Sequence, residues 1–351
     1  MNKKIKHLYI HIPFCKSICT YCDFVRLIEN DNIKIEKYIN YLICKISKFN
    51  DHQFKTIYIG GGTPNSLSNN LLLKLLSLCK NKLSKNYEFT IECNPEFINE
   101  QQANTFSKCG INRVSLGVQS VNDKINKLFN RKHNIFDVIN SIKILKKNQI
   151  TNISCDFIYG FNQMNQNDII TNIKFIKKFK IPHCSFYSLE IQNNSILSKT
   201  SYKQNDELID KQLLLIINKM NKNKYQRYEV SNWCIDKKYQ SKHNLAYWQT
   251  KEWIGLGLGA YGFEKMNYYH YEGNINSLKK INQKYKQKEY YFQILMMGLR
   301  LIQGINLKNK DNLKAYNFFK NKIDKKQIII KNNYLRVKNI DKLDNILIEL
   351  V

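Results

Sequence analysis

The feature that most restricts the fold of this chain is an alternation of short β-type runs with helical patterns. Residues 8–12, 56–60, 87–92, 112–118, 153–158 and 184–189 read as six strands. Ile35, Tyr38, Ile39, Leu42, Ile43, Ile46 and Phe49 recur at helical spacing between the first two. A leucine-rich helix is expected over 71–83, two more over 122–129 and 136–147, and another over 206–220. Repeated βα units imply an α/β fold with a parallel sheet, either open and twisted or curled into a full or partial barrel. With 351 residues there is room for one large domain and a smaller one, or for a barrel with an appendage. After about residue 230 the rhythm changes. Glycines cluster over 255–259, aromatics are dense over 247–271, and an apolar helix runs from Tyr290 through Leu295 and Leu299. Residues 327–337 read as a hairpin turning at Asn332 and Asn333. The glycine cluster looks like a dinucleotide fingerprint but lacks the strand-to-helix context, so a glycine-rich strand beside the sheet is expected.

Chemistry concentrates just past the first strand, where Cys15, Cys19 and Cys22 lie within eight residues. Thiolates are soft ligands that select iron–sulfur clusters, zinc or copper(I). Structural zinc usually takes four protein ligands, often as two separated pairs, and no second cysteine pair of that spacing exists. His11 is a possible fourth ligand, although a histidine on a strand is more often packed or hydrogen-bonded. A cubane held by three cysteines leaves one iron open to another ligand. Cys93, Cys155 and Cys184 fall in strands and read as core.

The formal charge of +28 raises nucleic acid or an anionic membrane as a partner. Only six of the 56 basic residues are arginine, however, and the lysines are spread along the chain as a solvated surface. No recognition helix is evident in the last segment, so no nucleic-acid partner is expected. No apolar run reaches the roughly 20 residues that span a bilayer, and the basic start meets Pro13 and Cys15 too soon for a signal peptide. No integral membrane segment is expected; peripheral contact and oligomeric state stay open. Ten cysteines without a leader point to a cytoplasmic protein in which ligation or burial replaces disulfides.

The Cys-x3-Cys-x2-Cys spacing, with Tyr21 directly before the third cysteine, is similar to the signature of the radical S-adenosylmethionine (SAM) superfamily. Residues 9–15, the Gly-Gly-Gly-Thr-Pro run at 60–64, and residues 91–95, 117–120 and 156–160 resemble its oxygen-independent coproporphyrinogen III oxidase-like branch in order and spacing. The likeness covers about the first 265 residues. The oxidases carry a further cysteine two residues after the third ligand, where Phe24 stands here. His243, Asn244, Tyr247 and Trp248 resemble the His-Asn-x-x-Tyr-Trp motif of the HemW heme chaperones.

The resemblance implies a radical SAM (βα)6-type partial barrel over residues 1–230. An extension carrying the histidine motif would occupy 231–285, and a small C-terminal α+β helix-plus-hairpin domain 286–351. It implies a [4Fe–4S] cluster on Cys15, Cys19 and Cys22, with SAM at the open iron. Tyr9, Tyr21, Gly61, Gly62, Thr63, Glu92, Gln119, Arg131 and Asp156 would be the SAM-side residues. Their chemistry suits the task. Glycines let backbone groups approach a ligand, arginine forks onto a carboxylate, and acids hold an amine or ribose hydroxyls. Heme at His243 is implied as well, because histidine commonly holds heme iron and aromatics suit a porphyrin face. Taken alone, one histidine among aromatics is more often core or surface. Three functions remain open. The first is a heme chaperone serving client hemoproteins. The second is radical decarboxylation of coproporphyrinogen III in porphyrin biosynthesis. The third is radical SAM chemistry on an unrelated substrate.

Overall fold

The computed structural model describes residues 4–350; residues 1–3 and 351, counted above within the first and last expected units, lie outside it. Its first two-thirds runs β1 (His7–Ile12), β2 (Phe14–Cys15), β3 (Leu27–Ile28), α1 (Asn32–Ser47), β4 (Phe54–Gly61), α2 (Asn69–Lys80), β5 (Leu83–Cys93), α3 (Glu100–Lys108) and β6 (Arg113–Gln119). It continues with α4 (Asp123–Leu128), α5 (Ile135–Lys147), β7 (Ile153–Tyr159), α6 (Gln166–Lys178), β8 (His183–Ser188) and α7 (Asp206–Lys222). Strands β1, β4, β5, β6, β7 and β8 pair side by side in that order, all parallel. These are the six expected βα units. One boundary differs: α2 stops at Lys80 with Asn81 as its C-cap, and Leu83 opens β5 instead of closing the helix. The apolar spacing continues from Cys79 to Leu83, which is why the sequence pattern overran the cap.

Period-two alternation explains how this sheet makes a site. Leu8, Ile10, Ile12, Ile57, Ile59, Phe89, Ile91, Val114, Leu116, Phe157 and Phe186 are buried in one core with the apolar faces of the helices. The intervening positions carry His7, Tyr9, His11, Thr56, Tyr58, Glu88, Glu92, Arg113, Ser115, Asp156, His183 and Ser185. One face of the sheet therefore holds the helices, and the other is a polar interior.

The later chain adds to both edges. Short strands β9 (Gln226–Arg227) and β10 (Asn232–Cys234) pair antiparallel beyond β8, so the two sides of residue 230 share one sheet. After helix α8 (Lys242–Trp248), β11 (Ile254–Leu256) pairs parallel with β1 at the opposite edge. This is the glycine-rich strand expected beside the sheet. The aromatic region then forms an antiparallel meander of β12 (Tyr261–Glu264), β13 (Asn267–Asn274) and β14 (Ser277–Lys284), which the sequence pattern did not reveal.

The last segment contains α9 (Gln287–Gly298), β15 (Ile305–Asn306), α10 (Lys310–Phe319), β16 (Ile328–Lys331), β17 (Tyr334–Val337) and α11 (Leu343–Leu350). It has its own core of Leu295, Leu299, Phe319, Leu335 and Ile346. Asn332 and Asn333 adopt positive φ of 52° and 61°, the turn that a two-residue hairpin of this twist requires. Among the described residues no helix is long and apolar enough to cross a membrane.

Candidate functional site

Cys15 ends β2, and Cys19 and Cys22 lie in the excursion from it to β3; the two strands pair parallel and close the base of the loop. The loop is tied down from several directions. Thr20 N–H donates to the Phe129 carbonyl at 3.1 Å, and Asn130 Nδ2 donates to the Ile18 carbonyl at 2.8 Å. His11 Nε2 lies 2.8 Å from the Val25 carbonyl, and its Nδ1 lies 3.0 Å from Tyr9 Oη. A carbonyl only accepts, so Nε2 carries the proton and Nδ1 accepts from the tyrosine. Both ring nitrogens are occupied, and burial pushes the imidazole pKa down to about 4. His11 is thus a neutral strut for the cysteine loop and not a fourth metal ligand.

The Gly60–Thr63 loop packs directly under this excursion. Gly62 N–H donates to the Ile12 carbonyl and Thr63 N–H to the Phe14 carbonyl, each at 2.8 Å. A Cβ on Gly62 would stand 2.8 Å from Cys15 Sγ, so only glycine lets the two segments meet. Thr63 Oγ1 lies 3.4 Å from Cys15 Sγ, and Arg131 Nη1 lies 3.7 Å from Cys19 Sγ. Burial raises the Cys15 thiol pKa and pushes that of Cys22 up to about 11, with Thr63 and Arg26 acting in the opposite sense on them respectively. Thiols in this state release their protons when a metal takes them, because the thiolate is the ligand.

The donor set fits a cluster. It offers three soft ligands, with a hydroxyl and a guanidinium at two of the sulfurs, the kind of support that tunes such centres. Among the described residues no three His, Cys, Asp or Glu side chains converge closely enough for a single metal ion.

The polar interior continues from there. Glu92 accepts from Tyr58 Oη at 2.7 Å and from Gly61 N–H at 3.0 Å. Burial, with Asp156 adding to it, pushes the Glu92 carboxyl up to about 7. Asp156 is surrounded by the hydroxyls of Ser115, Ser154 and Ser185 at 2.8, 3.1 and 2.7 Å. Gln119 closes β6 with φ of 62°, where the pairing with β7 shifts register. Tyr21 meets the Phe129 ring edge-on at 5.1 Å. The structure therefore gathers Cys15, Cys19, Cys22, Tyr9, Tyr21, Gly61, Gly62, Thr63, Glu92, Gln119, Arg131 and Asp156 around the C-terminal half of the parallel strands. The geometry re-aims Arg131: its Nη2 is held by Asn94 Oδ1 at 2.9 Å and the Gly117 carbonyl at 2.7 Å, and Nη1 faces Cys19. The guanidinium is held on one side and faces the Cys19 sulfur on the other.

His243 is elsewhere. It opens α8 under the N-terminal ends of the strands, with Nδ1 2.7 Å from Thr56 Oγ1 and Nε2 2.7 Å from Tyr247 Oη. Its ring stacks on Tyr58 at 5.1 Å, and its N–H donates to Glu88 at 2.9 Å. Thr56 and Gly61 sit on the same strand, five residues apart, or roughly 16 Å at about 3.3 Å per residue. His243, the residue at which heme was expected, is buried in this structure with both ring nitrogens engaged.

Comparison with known proteins bears on the whole arrangement. The sequence pattern of the Radical SAM superfamily matches residues 9–176. The chain is 32% identical over 331 residues to the "Heme chaperone HemW" of Lactococcus lactis subsp. lactis (strain IL1403), covering 89% of this chain and 86% of that protein. This chain belongs to the radical SAM superfamily, in its HemW-type branch. A second relative, the "Heme chaperone HemW" of Escherichia coli (strain K12), is 30% identical over 270 residues, 73% of this chain and 69% of that one. In fold, the HemW-type chain superposes on the coproporphyrinogen III oxidase (HemN) from Escherichia coli with a TM-score of 0.80, covering 99% of this chain and 90% of the oxidase at 15% identity. Radical SAM membership implies a [4Fe–4S] cluster and SAM.

Tyr58 and Thr56 are site-shaping residues that motif reading missed, and Asn94 lies within the 91–95 motif without having been given a role. Strand parity marks Tyr58 and Thr56, which share the inward register of Gly60 on β4.

Proposed function

We propose that this HemW-type protein binds heme and transfers it to hemoproteins, with a [4Fe–4S] cluster on Cys15, Cys19 and Cys22 and SAM beside it. The observation that carries the reading is the match to a HemW heme chaperone over nearly the whole of both chains. Phe24 supports it: the position where the oxidases carry an extra cysteine holds a phenyl ring that is 62% exposed on the loop. When bound, the reduced cluster can supply an electron to the sulfonium of SAM. The protein's own part is to position and to shield. Thr63 and Arg131 stand at the sulfurs of Cys15 and Cys19. The N–H groups of Gly61, Gly62 and Thr63 are already bonded to Glu92, Ile12 and Phe14, so this turn would meet the amino acid end of SAM through carbonyl oxygens, and Glu92 and Asp156 would receive its amine or hydroxyls. All ten cysteines are free of disulfides, which suits a reducing cytoplasm.

Anaerobic reconstitution followed by heme titration and transfer to an apo-hemoprotein tests the proposal. Stoichiometric binding and transfer are expected. Conversion of coproporphyrinogen III in the presence of SAM and reductant would overturn the chaperone reading in favour of the decarboxylase. Radical chemistry elsewhere would be indicated if the loaded protein cleaved SAM but took up no heme.

A further inference from the structure

We propose that heme sits in the cleft beneath the N-terminal ends of the strands, with His7 Nε2 as its iron ligand and His243 positioning that ligand from behind. This assignment rests on the heme-binding reading and deepens it. A cavity of about 700 Å3 opens between residues 4–7, the end of α8, the β12–β13 turn, α9 and β15. That volume lies within the about 300–1,000 Å3 of small-molecule and cofactor sites. Its walls combine Phe263, Tyr290 and Leu301 with the lysines Lys6 and Lys265, and the polar side chains of Glu252, Asp311 and Asn312 line its other side. Neither lysine has an ion-pair partner among the described residues. In this mixed lining the aromatic and apolar side is the part that suits the face of a flat macrocycle, and the lysines suit its carboxylates.

His7 lines the same cavity. Its Nδ1 lies 2.9 Å from Thr56 Oγ1, and its Nε2 has no hydrogen-bond partner among the described residues. Burial first, and the nearby Lys251 and Lys55 second, push its pKa down to about 4, so the ring is neutral, the form that ligates metals. The threonine hydroxyl joins the two histidines, since the same Oγ1 lies 2.7 Å from His243 Nδ1. A hydroxyl donates only once. With the His7 Nε2 lone pair on iron, Nδ1–H donates to Thr56, Thr56 donates to His243 Nδ1, and His243 Nε2–H donates to Tyr247. Every proton in the chain then has one place. This is the outer support that metal-bound histidines use to fix tautomer and ring orientation. The buried histidine of the α8 motif thus acts through His7 and does not touch the iron.

The test is a titration of the cluster-loaded protein with hemin and, separately, with metal-free protoporphyrin IX, followed by the Soret band. For His7→Ala, hemin affinity should fall about 100-fold or more, above the roughly 10- to 100-fold of outer-shell changes. Porphyrin affinity should hold, and added imidazole should restore the ligated spectrum. The paired substitution Lys6→Glu and Lys265→Glu, at positions outside the core, should weaken hemin and porphyrin alike by about tenfold, or about 1.4 kcal/mol. His243→Gln should weaken hemin binding with imidazole unable to rescue it. Unchanged hemin affinity and spectrum in His7→Ala would overturn the assignment while leaving heme binding intact. A wild-type protein that takes up no hemin would overturn the heme reading itself, and the site with it.

Discussion

Replacing Glu92 with glutamine gives a direct measure of how the polar interior treats charge. The carboxyl is held between Tyr58 and Gly61, and burial raises its pKa from an ordinary 4.5 to about 7. A folded-state pKa above the unfolded one means that the folded protein holds the proton more tightly. The associated stability is fully present below about pH 4.5 and is lost as pH rises through about 7. Each pKa unit corresponds to about 1.4 kcal/mol, so the wild type should lose roughly 2–3 kcal/mol between about pH 5 and pH 8 through this group. Glutamine mimics the neutral acid, with its oxygen accepting from Gly61 N–H and its amide donating to Tyr58. The other titrating groups are common to both proteins and cancel in the comparison. Urea unfolding of the metal-free protein, followed by fluorescence of Trp233, Trp248 and Trp253, gives the two stabilities at each pH. Glu92→Gln should gain on the wild type as pH rises. Parallel stability curves from pH 5 to pH 8 would refute the idea that the interior holds this acid protonated.

Other substitutions probe the remaining parts. Gly62→Ala puts a methyl 2.8 Å from Cys15 Sγ and 2.9 Å from the Phe14 carbonyl oxygen. It should cut the iron retained after anaerobic reconstitution to a small fraction of wild type, measured by iron and sulfide analysis. Arg131→Gln removes a buried cation from Cys19 and should move the cluster's reduction potential to a more negative value in an EPR-monitored redox titration. Thr56→Val leaves His7 Nδ1 and His243 Nδ1 without their shared partner and should cost about 1–3 kcal/mol in chemical denaturation. Phe24→Ser, at an exposed position, should change stability by no more than about 0.5 kcal/mol.

The barrel was legible because its strands obey simple rules. Buried βα strands keep one apolar register, and Leu8-Ile10-Ile12 or Val114-Leu116-Val118 announce it without help from distant sequence. The cysteine spacing and the glycine loop were equally local, and both lie where the pattern placed them. What escaped was set by long-range packing. The β12–β14 meander carries tyrosines on both faces, so its alternation is masked; Tyr261, Tyr268 and Tyr285 form a ladder across it that only pairing creates. The direction in which Arg131 points depends on Asn94 and Gly117, contributed by two other strand ends. His243 carried a motif, but no motif says which end of a barrel a short helix will cover. That was decided by Glu88, whose carboxylate accepts the first N–H groups of α8 from the N-terminal half of β5.

The pairing of Leu8 with Ile254 has a consequence for the order of events during synthesis. Strand β1 is made first, yet one of its two edges is not covered until β11 leaves the ribosome. At about 5–20 residues per second that interval is roughly 10–50 s. An uncovered parallel edge is a place where chains stick to one another. The same late segment completes the cysteine loop, because Gly259 lies against the Val25 side chain so closely that a Cβ there would come within 2.5 Å of it. Iron delivered to a nascent or truncated chain would meet three cysteines on a loop whose last wall has not been built. The cysteine loop and the first strand thus both wait for the same late segment, and a chain truncated before residue 254 should be recovered less in the soluble fraction than the full chain.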